Sequence, residues 1–194
     1  YVGAEEFIKG RLRYCLWLKG VEPSVIRANP LVMERVAKCR AWRLASKRPQ
    51  TVKAAATPTL FDQTNNPKTA IIIPSVSSEK RDYIPIGFID DSVIVTNLAF
   101  IIPDATLYHF GILSSRMHMA WMRAVAGRLK SDYRYSKDIV YNNFPWPEEV
   151  VSGQSLVVSG QSIVVRAPAL TTNHYQRITQ TAQGILDARA KYPN

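Results

Sequence analysis

LYHFGILSSRMHMAWMRAVAGRLKSDYRYSKDIVYNNFPWP, residues 107–147, joins an apolar helical stripe to an arginine face, then to a charged turn dense in tyrosine, then to a stiff Asn/Pro/Trp segment. Phe110, Leu113, Met117, Ala120, Trp121 and Ala124 recur at spacings of three and four, which predicts one continuous helix face turned toward a core. Asp104 is the expected cap of that helix, with Pro103 fixing its approach. Arg116 and Arg123 fall seven apart on the opposite side, and Gly127 ends or kinks the helix. Beyond it, Lys130 and Asp132 lie two apart. In an extended segment both point the same way and offer a donor beside an acceptor, the pair of functions that a base-pair edge in the major groove asks for. Tyr133, Arg134, Tyr135 and Lys137 continue the charged aromatic region. The two prolines of Tyr141-Asn142-Asn143-Phe144-Pro145-Trp146-Pro147 stiffen its end, and the segment reads as an anchor.

Upstream, short β-branched runs at 70–73, 84–89, 93–95 and 98–102 predict a small, largely antiparallel sheet, with Asp90-Asp91 as a tight turn. The expected fold class is mixed α/β, the sheet packed against helices such as the Phe110/Leu113/Met117/Trp121 face. Between the first two runs, Ser77-Ser78-Glu79-Lys80-Arg81-Asp82-Tyr83 is a polar loop with both charge signs. Held by strands at both ends, it can present Glu79 and Arg81 to bases or phosphates.

Toward the N-terminus the charge concentrates. Residues 9–53 hold twelve Lys or Arg against Glu22 and Glu34, within a chain of net charge +10 and pI ≈ 9.8. Such a balance favours a polyanionic partner and says nothing about fold. Residues 29–46 read as a helix, with Asn29 as cap and Pro30 at the first turn. Val32, Met33, Val36, Ala37 and Leu44 gather on one side of it, and Arg35, Lys38 and Trp42 on another that can lie along a phosphate backbone. Residues 49–69 form a connection that Leu60-Phe61 pins down.

Toward the C-terminus, VSGQSLV at 151–157 is repeated as VSGQSIV at 158–164, a duplication read as a hairpin or linker without chemistry of its own. From His174 to Lys191 a further helical stripe follows, expected to stand mostly apart from the sheet. The division expected is therefore one domain over 1–148, a linker over 149–172 and the start of a helical domain over 173–194. A start at Tyr1 without methionine fits a piece of a longer protein.

The same residues narrow the function classes. Cys15 and Cys39 lie far apart and read as buried thiols of a reducing compartment, while His109 and His118 lack a third ligand type at metal-binding spacing. A cytoplasmic location is expected, with neither a leader nor a long apolar run to indicate secretion or a membrane partner. No Gly-rich strand-turn-helix for a nucleotide cofactor, intact amino-methylation motif or Asp…Glu-x-Lys arrangement stands out, so this stretch is expected to be non-catalytic.

SSEKRDYIPIGF, FGILSSRMHMAWMR, GRLKSDYRYS and YNNFPWP, taken in order, resemble the target-recognition domain of the MmeI-like family, single-chain type IIL restriction-modification enzymes. The resemblance covers 1–148, extends weakly to the helix after 174, and implies a DNA-recognition module within an adenine-N6 methyltransferase and endonuclease. It further implies double-stranded DNA as partner alongside methyltransferase and nuclease domains of the same polypeptide, with S-adenosylmethionine and Mg2+ used outside this stretch and no cofactor within it. In that family the pair after Gly-Arg-Leu is associated with one position of the site: Glu with Arg for cytosine, Lys with Asp for guanine. Lys130 and Asp132 thus imply a guanine reader. Glu79, Arg81, Arg116, Arg123, Arg134, Lys137, Arg35 and Lys38 are the further candidate DNA contacts. An RNA-binding or protein-docking module is the alternative that charge and exposed aromatics allow.

Overall fold

A computed structural model describes residues 1–11, 13–147 and 172–191. The helices are α1 (Ala4–Lys9), α2 (Pro23–Ala28), α3 (Pro30–Leu44), α4 (Pro49–Lys53), α5 (Leu107–Leu113), α6 (Arg116–Val125) and α7 (Thr172–Lys191). The strands are β1 (Thr69–Pro74), β2 (Val76–Ser77), β3 (Gly87–Asp90), β4 (Ala99–Pro103), β5 (Gly127–Leu129) and β6 (Asp132–Arg134). They form two compact units, one of Tyr1 with Arg13–Asn66 and one of Val2–Leu12 with Pro67–Asn194. The duplicated VSGQS segment lies outside the described residues.

The first unit is helical. Each of α2, α3 and α4 begins with proline, whose fixed φ suits a first turn and whose missing N–H would be unpaired there anyway. The Asn29 side chain accepts from the Val32 N–H at 3.2 Å, the cap expected from sequence. Arg43 closes the unit by donating to the carbonyls of Ala54 at 2.8 Å, Thr57 at 3.0 Å and Leu60 at 2.8 Å. Phe61 stacks on Trp17 at 5.6 Å, so Leu60-Phe61 does pin the connection. The covered side of α3 runs through Val32, Val36, Cys39 and Arg43, a narrower stripe than expected, leaving Met33, Ala37 and Leu44 exposed. Cys15 and Cys39 are free and only partly covered, not buried.

The second unit holds the core. β1 is the middle of an antiparallel sheet ordered β3-β1-β4, and Ala70, Ile71, Ile72 and Ile73 are buried on both faces, which suits an uninterrupted apolar run. Ile71 and Ile73 pack into a cluster with Phe110, Leu113, Met119, Met122 and Val140. On the other face Gly87 stands opposite Ile72, and a Cβ there would come within 3.0 Å of Phe7 Cζ. Mixed α/β with small antiparallel sheets on helices is thus the fold, although the strands divide into two sheets. The second, ordered β2-β6-β5, is built from strands of two or three residues.

Several expectations are corrected in detail. Residues 84–86 enter no strand: Ile84 and Ile86 are buried in a connection, and the Ile84 N–H points at the Met119 sulfur at 3.5 Å. Of 93–95 only Val95 pairs, as an isolated parallel bridge to Val2. Asp104 does not cap α5; it turns through a left-handed φ of 53°, and Thr106 is the cap, its N–H donating to His109 Nδ1 at 3.2 Å. The stripe from Phe110 to Ala124 is not continuous either. The helix stops at Ser114 and restarts at Ser115, whose hydroxyl accepts from the His118 N–H at 3.1 Å, so the phase resets. His118, Met119 and Met122 are buried instead, and Met117 is 71% exposed.

α7 does not stand apart. It docks on α5, where Gly111 permits an approach so close that a Cβ would lie 2.8 Å from Ile178 Cγ2. Ala182 is fully buried, and Arg189 donates to the Ile86 carbonyl at 2.7 Å while lying over the Phe110 ring.

Candidate nucleic-acid interface

Lys130 and Ser131 form the two-residue connection between β5 and β6, where Leu129 pairs with Asp132. Lys130 has φ 57°, a left-handed conformation that glycine adopts freely and a lysine adopts at a cost of about 1 kcal/mol. The residue is exposed at the tip of the hairpin, while Asp132, the first residue of β6, is half-buried. The pair is thus split between two elements: Lys130 occupies the bend of a turn and only Asp132 belongs to a strand.

The loop after β2 comes to the same place. The Glu79 N–H donates to Asp132 Oδ1 at 3.4 Å, joining residues 53 apart in sequence. Arg128, which sequence reasoning passed over, lies at the centre. Its Nη1 donates to the Ser131 carbonyl at 2.7 Å and stands 3.8 Å from Glu79 Oε2, and its guanidinium lies 3.8 Å over the ring of its cross-strand partner Tyr133. The available signal was an Arg and a Tyr flanking a short turn, a pairing that matters only once the register is known.

The other candidates divide. Arg123 is tied to the loop, its Nη2 donating to the Asp82 carbonyl at 2.8 Å. Arg116 at the start of α6, Arg134 at the end of β6, Lys137 and Arg81 are exposed. Arg35 and Lys38 belong to the helical unit, where Arg35 lines a cavity of about 510 Å³ and Lys38 pairs with Glu34 one turn away. Structure thus brings Glu79, Arg123, Lys130 and Asp132 into one region of hairpin and loop.

Tyr135, the residue after β6, leads into an aromatic cluster. His118 is buried, its Nε2 lies 3.0 Å from the Tyr135 hydroxyl, and its ring meets Phe144 edge-on at 4.6 Å. Burial pushes its pKa down to about 4, so the imidazole is neutral near pH 7, and burial likewise pushes the Tyr135 phenol up. The Trp121 indole N–H donates to the Val140 carbonyl at 2.9 Å, and that of Trp146 to the Tyr141 carbonyl at 3.3 Å. Asn143 Nδ2 is spent on the Asp138 carbonyl at 2.9 Å and Phe144 is buried, so the Asn-Phe-Pro-Trp segment acts as an anchor. Among the described residues no group of three His, Cys, Asp or Glu side chains could hold a metal ion, and no helix is long and apolar enough to cross a membrane.

The sequence matches the family described as MmeI, target recognition domain, over residues 1–148. DNA methyltransferase A of Bacillus subtilis (strain 168) is 49% identical over 149 residues, which make up 76% of this chain and 17% of that protein. The solved structure of the type IIL restriction-modification enzyme MmeI in complex with DNA superposes with a TM-score of 0.85 at 42% identity, covering 100% of this chain and 23% of that one. The chain therefore spans less than a quarter of the length of either relative.

Proposed function

This chain belongs to the MmeI target-recognition domain family, and from that membership we propose that it is the double-stranded-DNA recognition module of a longer adenine-N6 methyltransferase and endonuclease. The module binds and orients the duplex and performs neither reaction. S-adenosylmethionine would supply the methyl group, and Mg2+ would serve cleavage, in other parts of the polypeptide. The described residues do not fit either group: they offer no metal cluster, and the β4-to-α5 connection, Asp104-Ala105-Thr106, has no glycine to let backbone approach a nucleotide cofactor.

Two kinds of contact divide the work. Arg81, Arg116, Arg134 and Lys137 on the sheet unit and Arg35 and Lys38 on the helical unit face phosphates, which fix register and carry no sequence information. Base reading falls to the hairpin. Lys130 donates to O6 and N7 of a guanine, and Asp132 accepts from N4 of the paired cytosine. The observation that carries this reading is the hairpin tip itself: a lysine held in a left-handed turn, exposed, next to a carboxylate already oriented by a backbone amide.

Exchanging the pair tests it. Lys130→Glu with Asp132→Arg in the full-length protein restores a donor and an acceptor in reversed order, and the modified site is expected to change from guanine to cytosine at one position. A good bidentate contact is worth about 1–3 kcal/mol of discrimination, enough to register in genome-wide mapping of N6-methyladenine. Retention of guanine at every position by an active double variant would show that these residues do not read bases.

A further inference from the structure

We propose that Arg128 is a positioning residue for base recognition, acting through the hairpin turn and through Glu79 on Asp132, without touching DNA. The inference rests on the assignment of Lys130 and Asp132 as readers and goes beyond it. Arg128 makes three contacts at once: the Ser131 carbonyl within the turn at 2.7 Å, the Tyr133 ring at 3.8 Å and the Glu79 carboxylate at 3.8 Å. Each restrains a different part of the reading pair. The first fixes the turn that carries Lys130, in which a non-glycine residue occupies the left-handed region and has to be held there. The second holds the guanidinium over the ring of its cross-strand partner, beside the turn it donates to.

The third contact draws the 78–83 loop toward the hairpin, so that the Glu79 amide meets Asp132 Oδ1. An exposed ion pair at this distance contributes little stability, and the side chains here are 44% and 45% exposed. Its consequence is geometric: Glu79 is committed to holding a carboxylate by its backbone, and its own acid group faces Arg128 instead of a base. Arg128 would thus set how sharply one base pair is distinguished, as second-tier contacts do in any site that depends on fixed donor directions.

The test is selection from a pool of random-sequence duplexes by the full-length protein, counting bound sequences, together with the salt dependence of binding to the unselected pool. Arg128→Met and Arg128→Lys are both expected to lower the preference for guanine at the read position about tenfold, leaving other positions and the salt slope unchanged. Arg128→Lys keeps the charge but not the planar fork, so recovery by lysine would overturn the proposal. So would a salt slope lower by about one, which would make Arg128 a phosphate contact. Amide exchange at Glu79 checks the coupling independently: it should quicken in both variants while exchange in β1 stays unchanged. The Lys130→Glu/Asp132→Arg variant runs in parallel. If it leaves the preference intact, the reading pair itself is misassigned; if it moves the preference and the Arg128 variants do not, only the positioning role fails.

Discussion

The two units of this chain share a basic character and differ in how they are held. In the helical unit Ala55 is the one described residue that is fully buried, while Leu31, Trp42 and Tyr14 are largely exposed; closure depends on proline-led turns and on Arg43 gripping three carbonyls. In the sheet unit Ile71, Ile73, Phe110, Met119, Met122 and Val140 form a core, and an aromatic cluster of His118, Trp121 and Phe144 packs edge to face. Charge alone needs little more than a surface, since phosphates are contacted over a wide range of geometries. Discrimination between bases needs donors fixed to within a fraction of an ångström, and only the sheet unit has the packing to do that.

Substitutions that break this contrast rank by size. Phe110→Ala should cost about 3–5 kcal/mol, since it empties a fully buried site shared by β1, β3 and α7, whereas Trp42→Ala should stay within about 0.5 kcal/mol. Denaturant titration of the full chain measures both, and equal costs would show that the helical unit has a core of its own. Acid is the next lever. His118 is held down to about 4 from 6.5, so the unfolded chain binds a proton in a pH range where the folded chain does not. Stability is whole above pH 6.5 and falls as pH drops toward 4, by about 3 kcal/mol in all. His109, lowered by the same cause, adds to the loss. The helical unit contains no histidine, so amide protection should collapse in β1 and α6 first, and His118→Gln should flatten the profile. Smallest is the charge effect: Arg35→Ala and Arg116→Ala should each lower the salt slope of duplex binding by about one. A slope that moves for Arg116 alone would remove the helical unit from the DNA surface.

What could be read in advance follows the same contrast. Asn29-Pro30 announces a helix because a cap and a first-turn proline are local chemistry, and Ala70–Ile73 announces a buried strand because its apolar run is uninterrupted. The break at Ser114-Ser115 was hidden, since apolar residues continue across it and two serines inside a helix look unremarkable. β2 and β6 were missed because strands this short leave no periodicity to count. Lys130-Ser131 lacks the glycine or asparagine that marks tight hairpin turns, and so the turn leaves no local signal. The candidate site was legible as residue types and not as contacts: nothing local connects Glu79 with Asp132, or makes Arg128 part of the turn.

β1 carries a consequence for handling the chain. Ala70-Ile71-Ile72-Ile73 has no charge and strong β-propensity, the composition of segments that stack between molecules into ordered aggregates. Within the fold β3 occupies one edge of it and β4 the other, so no unpaired amide row faces solvent. Any fragment cut before Ala99 leaves a whole edge of β1 open, and solubility, ahead of folding free energy, decides where this chain can be divided.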